Sequence, residues 1–297
     1  MKTEQTILVT GATGLVGRVL CEALEAKGHR VRRLGRGSDS DFQWDLEVMS
    51  MSAGAMEGVD TVVHLAGESV AQRWTEAAKE RILRSRTRST QLLAEAILKQ
   101  DSPPAYIGAS GSNFYGYNRG DALDESASSG EGYLAEVCRA WEGAAQPLLD
   151  AGVRCVFVRT GVVLSKDGGA LAKMLPPFKA GVGGRIGSGR QWMSWISLDD
   201  LVAIYVRAVE DAELNGPVNA VAPKAVTNAV FTKALGGVIG RPTVFPLPSF
   251  MVKTLFGEMG EETVLADVAL VPQRLMDIGF EWAFPNLNDA LEACLSR

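Results

Sequence analysis

The sequence has few of the residues that build metal centres and disulfide frameworks. Among its 297 residues there are two histidines, His29 and His64, and four cysteines that form no CxxC pair. A zinc site in a familiar spacing needs more ligands than these, so no metal site is predicted. The scattered thiols and the lack of a secretory segment favour a reducing, cytoplasmic location.

Long apolar runs and an excess of charge of one sign are also lacking. No stretch reaches the roughly 18 consecutive apolar residues that indicate a membrane span. The 30 basic and 35 acidic side chains leave a net charge of −5, which supplies no field to attract nucleic acid or an anionic membrane. These partners are therefore excluded in favour of a small-molecule substrate, while the oligomeric state is left open.

The sequence does contain a regular alternation of short apolar runs and stretches with helical periodicity. Such alternation is typical of βαβ units, so we expect an α/β fold with a doubly wound parallel sheet of Rossmann type. Strands are predicted at 6–10, 30–34, 42–46, 61–65, 106–109, 154–160 and 217–221, and helices at 15–27, 75–99 and 133–150.

The pattern becomes looser after residue 165. Residues 176–192 are predicted to form a Gly/Pro-rich loop, followed by a strand and helix over 193–209 and by helical segments from about 226. Loops of this length in compact domains are usually functional. We therefore predict two domains, which are a nucleotide-binding domain of residues 1–165 with 193–222, and a smaller, mainly helical substrate domain of residues 166–192 and 223–297.

A glycine-rich segment, TGATGLVG at residues 10–17, lies between the first predicted strand and the first helix. Gly11 permits a tight turn, Gly14 lets a pyrophosphate approach the backbone, and Gly17 lets the helix pack closely on the strand. The N–H groups at the start of the helix then face the anion. Because the glycines stand in the required strand–turn–helix context, they predict dinucleotide binding.

The end of the second strand distinguishes the two nicotinamide cofactors. An acidic residue there would hold the ribose 2′-hydroxyl, whereas an arginine would accept a 2′-phosphate. The chain reads RVRRLGR over residues 30–36, with no carboxylate before Asp39. Arg36, and after it Arg33, are the candidate phosphate ligands. NADP(H) is thus predicted to be preferred over NAD(H).

Further motifs identify a family. They read HLAGESVAQRWT from His64, YLAEVCRAWE from Tyr133, RTGVVLSKDGGALAKMLPPF from Arg159 and GSGRQWMSWISLDD from Gly187. With the glycine segment, these stretches resemble the extended short-chain dehydrogenase/reductase superfamily, and within it the atypical, nucleoside-diphosphate-sugar epimerase-like branch. The resemblance covers residues 7–222 and continues into the helical tail.

The resemblance implies a Rossmann domain that binds NAD(P) and a smaller domain that closes over a substrate. It assigns parts of the cofactor to four groups of residues. These are Gly11, Thr13, Gly14, Leu15 and Val16 for the pyrophosphate, Asp45 and Leu46 for the adenine, Leu65, Ala66 and Gly67 for the ribose, and Arg159, Thr160 and Gly161 for the nicotinamide.

The superfamily's chemistry uses a serine or threonine, a tyrosine, and the lysine of a YxxxK helix that lowers the phenol pKa. The tyrosine position matches Tyr133, but Val137 stands where the lysine is expected, and the charge of Glu136 would raise the phenol pKa. The serine position falls on Gly111, so Ser110 and Ser112 are both candidates. The alternative is that Tyr133 is a helix aromatic packed beside the cofactor.

Two further groups of residues are candidates for ligand contacts. The loop over 176–192 is predicted to be mobile and to line the substrate cleft with Met174, Arg190, Gln191 and Trp192. The basic stretch of the long helix is predicted to be a solvated face. Its arginines, namely Arg84, Arg86 and Arg88, would contact an anion if that helix borders the cleft.

The leading hypothesis is an NADP(H)-dependent oxidoreductase or epimerase acting on a carbonyl, a hydroxyl or a nucleotide-sugar-like small molecule. In this hypothesis Ser110 or Ser112, together with Tyr133, polarises the substrate oxygen. The alternative is a weak or inactive NADPH-binding sensor that acts through a protein partner. The missing lysine at position 137 favours the sensor, and the retained Tyr133 favours the enzyme.

Overall fold

A computed structural model of the chain describes residues 4–296, apart from the side chain of Asp121. The ends of the two predicted domains, residues 1–3 and 297, lie outside the described residues. The strands are β1 Thr6–Thr10, β2 Arg30–Gly35, β3 Phe42–Asp45, β4 Ser50–Met51, β5 Thr61–His64, β6 Ala105–Gly111, β7 Asn118–Leu123, β8 Cys155–Thr160, β9 Val162–Leu164, β10 Trp192–Met193, β11 Trp195–Ser197, β12 Gly216–Ala220, β13 Val226–Thr227 and β14 Asp267–Leu270. The α-helices are α1 Leu15–Ala26, α2 Glu76–Leu98, α3 Tyr133–Gly143, α4 Gln146–Asp150, α5 Gly169–Lys179, α6 Leu198–Glu210, α7 Asn228–Val238, α8 Ser249–Glu262, α9 Gln273–Asp277 and α10 Leu287–Ser296.

The main sheet has eight strands in the order β12-β8-β6-β5-β1-β2-β3-β4. Every pair in it is parallel except β3 with β4, so the predicted doubly wound Rossmann fold is confirmed. The chain leaves β1 toward β2 and then returns to the other side of β1 with β5. Ligands of such sheets bind at the carboxyl ends of the strands beside this reversal, which places the expected crevice next to β1 and β5.

Burial on both faces explains why the central strands are continuously apolar. Ile7 and Val9 of β1 face a core with α1 and α6, whereas Leu8 faces a second core with α2 and α4. All three side chains are fully buried. The crevice at the carboxyl ends of β1 and β5 is thus built on fully buried strands.

The predicted helix over 133–150 is two helices. α3 ends at Gly143 and α4 begins at Gln146, with Pro147 in its first turn. Proline has no backbone N–H, and its ring clashes with the carbonyl four residues before it. A continuous helix would place that clash at Gly143, so the chain breaks there.

The predicted loop over 176–192 also needs correction at its start, because Pro176 and Pro177 lie inside α5. Leu171, Leu175 and Phe178 of this helix are buried in one apolar cluster, and their spacing places them on one face. Packing of that face keeps the helix intact although both prolines lack a donor. The irregular segment therefore begins only at residue 180.

Two of the strands that the sequence pattern did not predict pair with each other. β14 lies in the region expected to be helical, and it pairs in parallel with β7, which lies in a stretch left without an element. Val268 and Leu270 of β14 pack with Tyr115 and Val221 in a small core of their own. The pairing joins residues almost 150 positions apart in sequence, and it draws the C-terminal part onto the main sheet.

Three general features of the described part of the chain bear on function. No helix within residues 4–296 is long and apolar enough to cross a membrane. The same residues contain no group of three or more His, Cys, Asp or Glu side chains that could hold a metal ion. All four cysteines are free thiols, and only Cys294 is not buried.

Candidate functional site

The glycine turn between β1 and α1 is built by close approaches that exclude side chains. Gly11 has φ +69°, and a Cβ added there would lie 2.9 Å from the main chain of Ala66. A Cβ on Gly17 would collide with the carbonyl oxygen of Gly11. Gly14 differs, because a Cβ there would approach only that same oxygen, at 3.2 Å. The outward side of Gly14 is therefore open.

The N-terminus of α1 lacks a side-chain cap. Gly14 is its N-cap and accepts nothing through a side chain, whereas Thr75, Ser197 and Thr227 cap α2, α6 and α7 with their hydroxyls. The first N–H groups of α1 are thus left for another acceptor, next to the exposed Thr13. An open turn below an uncapped helix start is the shape and polarity that a pyrophosphate requires.

The two arginines at the end of β2 are placed differently. The Arg33 guanidinium pairs with Glu25, with Nη2 2.6 Å from Oε1, and the Arg33 backbone N–H donates to the Asp41 carboxylate. Arg36 is exposed and forms no hydrogen bond or ion pair with a described residue. Arg36 is consequently the cation that remains available to a ligand. Asp45, predicted to meet the adenine with Leu46, is exposed and accepts from the next turn's backbone.

A buried chain of hydrogen bonds fixes the segment after β5. His64 Nδ1 lies 2.6 Å from Thr10 Oγ1, and His64 Nε2 lies 2.8 Å from Ser89 Oγ. The Ser89 hydroxyl donates to main-chain carbonyls of α2, so Nε2–H must donate to it and Nδ1 must accept from Thr10. Burial lowers the pKa of His64 to about 3, and the ring is neutral.

The Thr10 hydroxyl continues this chain to the residues predicted to line the ribose. It accepts from the Ala66 backbone N–H, and the Leu65 N–H donates to the Thr10 carbonyl. Leu65, Ala66 and Gly67 are therefore held against the end of β1. His64 had no predicted role beyond its motif. A histidine at the end of an apolar strand was the feature of the sequence that could have indicated a buried hydrogen bond.

A second polar network surrounds Ser110 and Arg159. Arg159 is 5% exposed, and its guanidinium donates twice to the Glu142 carboxylate and once to the Tyr115 hydroxyl. The Ser110 hydroxyl donates to Glu142 over 2.7 Å. Arg159 thus holds a carboxylate rather than pointing free toward a nicotinamide. Ser112, on a short 3₁₀ turn, forms no side-chain hydrogen bond with a described residue.

Tyr133 starts α3 and faces α2. Its hydroxyl donates to the Lys79 carbonyl over 2.6 Å, and its ring meets Trp74 edge to face at 4.9 Å between centroids. Val137 is 2% exposed and belongs to the core side of α3. Burial raises the pKa of Tyr133 to about 12, while Arg86 lowers it and three carboxylates raise it. Burial therefore adds to the rise in the phenol pKa that the sequence predicted from Glu136.

The start of α3 is capped by a residue from the other end of the chain. The Glu262 carboxylate, 5% exposed, accepts from the backbone N–H groups of Tyr133 and Leu134 at 2.8 Å each. Nearby, Glu258 pairs with Lys79 over 2.6 Å. The end of α8 thereby joins the helices that carry Tyr133 and Lys79. No local pattern around residue 133 could have revealed this cap, because it comes from 129 positions away.

The four predicted substrate residues do not form one cluster of free side chains. Met174 is half-buried in the apolar cluster of α5, and the buried Gln191 donates to the Ile186 carbonyl. Arg190 and Trp192 are exposed, and the Trp192 backbone N–H donates to the Asp267 carboxylate. Main-chain bonds also join the segment to residues 229 and 247. These anchors oppose the mobility expected for the segment.

Together, the parallel sheet and the open glycine turn define a Rossmann protein with a nucleotide-binding type of crevice. The family model described as the NAD dependent epimerase/dehydratase family matches residues 7–221, and a second model, a domain of unknown function, matches residues 247–294. The chain belongs to the NAD-dependent epimerase/dehydratase family.

Similar proteins extend over the whole chain. The "Epimerase family protein Mb2239" of Mycobacterium bovis is 39% identical, with 98% of both chains covered. The crystal structure of the human epimerase family protein SDR39U1 with NADPH has a TM-score of 0.90 at 34% identity and covers 98% of this chain and 99% of that one. The UDP-glucose 4-epimerase of Thermotoga maritima, solved with UDP-glucose, has a TM-score of 0.79 over 98% and 97% of the chains. Its 19% identity shows a shared fold.

Proposed function

We propose that the protein is an NADP(H)-dependent oxidoreductase or epimerase that acts on a carbonyl, a hydroxyl or a nucleotide-sugar-like small molecule. The observation that carries the proposal is the open glycine turn at an uncapped α1, with the unpaired Arg36 at the neighbouring strand end. A dinucleotide whose pyrophosphate binds at the turn would place the 2′-phosphate of its adenosine ribose near Arg36. The NADPH in the similar human structure supports this choice of cofactor.

When bound, the nicotinamide would exchange hydride with the substrate carbon, and the chain's own residues would handle the proton. Tyr133 is neutral at physiological pH, because its pKa is raised to about 12. A neutral phenol suits proton donation during carbonyl reduction and is a poor base for alcohol oxidation. Its hydroxyl must first leave the Lys79 carbonyl and turn toward the substrate.

The two candidate serines would have different parts in this site. The Ser110 proton is already given to Glu142, so its oxygen can accept but cannot at the same time donate to a substrate. The Ser112 hydroxyl has no partner among the described residues and remains able to donate. We therefore favour Ser112 over Ser110 as the group that polarises the substrate oxygen.

A cofactor-binding sensor is the second candidate function. It is favoured by the hydrogen bond that holds the Tyr133 hydroxyl on the Lys79 carbonyl and by the buried Val137 in place of a lysine. Such a protein would bind NADPH, turn over nothing, and act through a protein partner.

Direct titration with NADPH, beside an NADPH-oxidation assay over aldehydes, ketones and nucleotide sugars, separates these functions. Binding with turnover of at least one substrate is expected. Binding without turnover across the panel would favour the sensor, and the absence of binding would overturn both. Gly14→Val is the matched control for NADPH binding at the glycine turn and should not bind. Its side chain points into the proposed phosphate site and not into the protein.

A further inference from the structure

Arg86 is the one arginine of the basic stretch in α2 that turns inward. Arg84 and Arg88 reach the exposed Glu47, whereas the Arg86 guanidinium lies over the buried Trp141 ring, 4.8 Å from its centroid. Its Nη1 donates to the carbonyls of Glu68 and Ile82 at 2.9 and 3.0 Å. The predicted solvated face of α2 thus has an exception at this position.

The same guanidinium lies directly beneath the segment predicted to line the cofactor ribose. A Cβ added to Gly67 would lie 3.0 Å from Arg86 Cζ and 3.2 Å from its Nη2. A side chain at residue 67 would therefore displace Arg86. The glycine is needed because a charged group occupies the space on that side of the backbone.

The charge of Arg86 is not neutralised by a partner. No carboxylate of the described residues forms an ion pair with it, although Lys79, two turns earlier on the same side of α2, is paired with Glu258. Partial burial of an unpaired charge costs free energy that a neutral side chain would avoid. A group that gains negative charge nearby would offset this cost.

Tyr133 is such a group. It lies near Arg86 because both side chains donate to backbone carbonyls of α2. The Tyr133 hydroxyl binds the Lys79 carbonyl, and the Arg86 guanidinium binds the Ile82 carbonyl. These carbonyls are three residues apart, which is a rise of about 4.5 Å along one side of a helix. The phenol and the guanidinium therefore bind on successive turns of α2.

We propose that Arg86 is the counter-charge of the Tyr133 phenol. It supplies the positive charge that a lysine at position 137 would supply in a YxxxK helix. The inference rests on the proposed function for its purpose. When the phenol gives its proton to a substrate oxygen, the O–H bond breaks and negative charge stays on the Tyr133 oxygen. The guanidinium stabilises that charge until a proton from solvent restores the hydroxyl.

The other charges around Tyr133 could not do this. Lys79 lies over the ring, with Nζ 5.1 Å from the centroid, but Glu258 neutralises it. Glu136 on the same helix, with Glu258 and Glu262 from α8, raises the phenol pKa, and Arg86 is the group that lowers it. Arg86 thus acts on the reaction as a positioning residue, through Tyr133.

The test uses the full-length chain with 3-nitrotyrosine incorporated at position 133, because its phenolate absorbs visible light and titrates near neutral pH. We expect Arg86→Met and Arg86→Gln each to raise the phenol pKa by about 1 unit or more. Arg86→Lys should keep most of the original value. The glutamine variant retains a donor for the Glu68 carbonyl, so it covers the case in which the methionine variant does not fold.

Arg84→Met is the matched control, since it removes an exposed charge from the same helix, and it should leave the titration unchanged. An unchanged pKa in a folded, uncharged Arg86 variant would overturn the proposal. So would a rise of equal size in Arg84→Met, or a rise seen only in Lys79→Met. The titration needs no substrate, so it is decided even if the turnover assay of the proposed function fails.

Discussion

The two ends of the cleft differ in whether their polar groups already have partners within the protein. At the glycine turn, the start of α1 has no side-chain cap, and Arg36 has no partner among residues 4–296. At the start of α3, the hydroxyl of Tyr133 and its backbone N–H both have acceptors within the protein. One end is left unsatisfied for a ligand, while the other is internally complete.

This difference indicates how much each end must change on binding. The glycine-turn end would accept an anion without breaking a hydrogen bond between described side chains, which is why we propose it as the phosphate site. The α3 end must release the Tyr133 hydroxyl from α2 before it can act on a substrate. Binding should therefore tolerate changes around Tyr133, and turnover should not.

The largest expected effect separates binding from folding at the phosphate end. Gly14→Val should weaken NADPH binding by about a hundredfold or more, because several charge-assisted bonds to the turn are lost together. Its midpoint of thermal unfolding should change little, since an added Cβ approaches only the Gly11 carbonyl oxygen, at 3.2 Å. Gly17→Val is the contrasting variant, which should lose stability because a side chain there collides with Gly11. Titration calorimetry with unchanged affinity in Gly14→Val would place the phosphate elsewhere.

The next effect concerns the internally complete end. Tyr133→Phe should reduce turnover by about a hundredfold, which is within the usual contribution of a general acid, and should leave NADPH affinity nearly unchanged. Tyr117→Phe, at a more exposed tyrosine nearby, is the control. Full activity of Tyr133→Phe on a substrate found by the panel would transfer the proton donation to a serine or to water.

The third variant pair compares the two arginines of β2. Arg36→Ala should erase most of a preference for NADPH over NADH of about ten- to a hundredfold, as expected for a charge-assisted contact. Arg33→Ala should have the smaller effect, because Glu25 already occupies its guanidinium. Affinities of both cofactors, measured for both variants, decide this. Equal binding of NADPH and NADH by the unchanged protein contradicts the prediction.

The smallest effect concerns the free energy of unfolding and its dependence on pH through the buried His64. His64 has a pKa near 6.5 when unfolded and about 3 when folded, so below pH 6.5 the unfolded chain binds a proton that the folded one does not. Folding should therefore lose about 1.4 kcal/mol per pH unit through this group as pH falls below about 6.5. Urea unfolding between pH 7.5 and 5.5 should show this slope, and His64→Asn should lack it. Identical slopes in the two proteins are the contradicting result.

The sequence predicts what is local and misses what is distant. The glycine turn and the order of the central strands follow from short-range patterns, because turn sterics and apolar alternation act within a few residues. The family, the fold class and the order of the strands and helices could be predicted for this reason. The β7–β14 pair and the Glu262 cap involve residues more than 120 positions apart, so they became visible only in three dimensions.

Arg86 shows an intermediate case. The sequence identified it as one of three arginines that would contact an anion if α2 bordered the cleft, and helical periodicity could not say which of them turns inward. The answer depends on Trp141 and Gly67, which lie on other elements and leave room for one guanidinium. Sequence alone thus defined the set of candidates, and tertiary packing selected the member.

The cap that Glu262 places on α3 has a consequence for the order in which the molecule assembles. Contacts of large sequence separation form late, because the entropy of closing a long loop must be met before they contribute. The cap on the first turn of α3 cannot form until residue 262 has been synthesised and has reached it. The strands of the main sheet can therefore pair while the ribosome is still adding the C-terminal residues. The cap at the start of α3 forms only after residue 262 has been added.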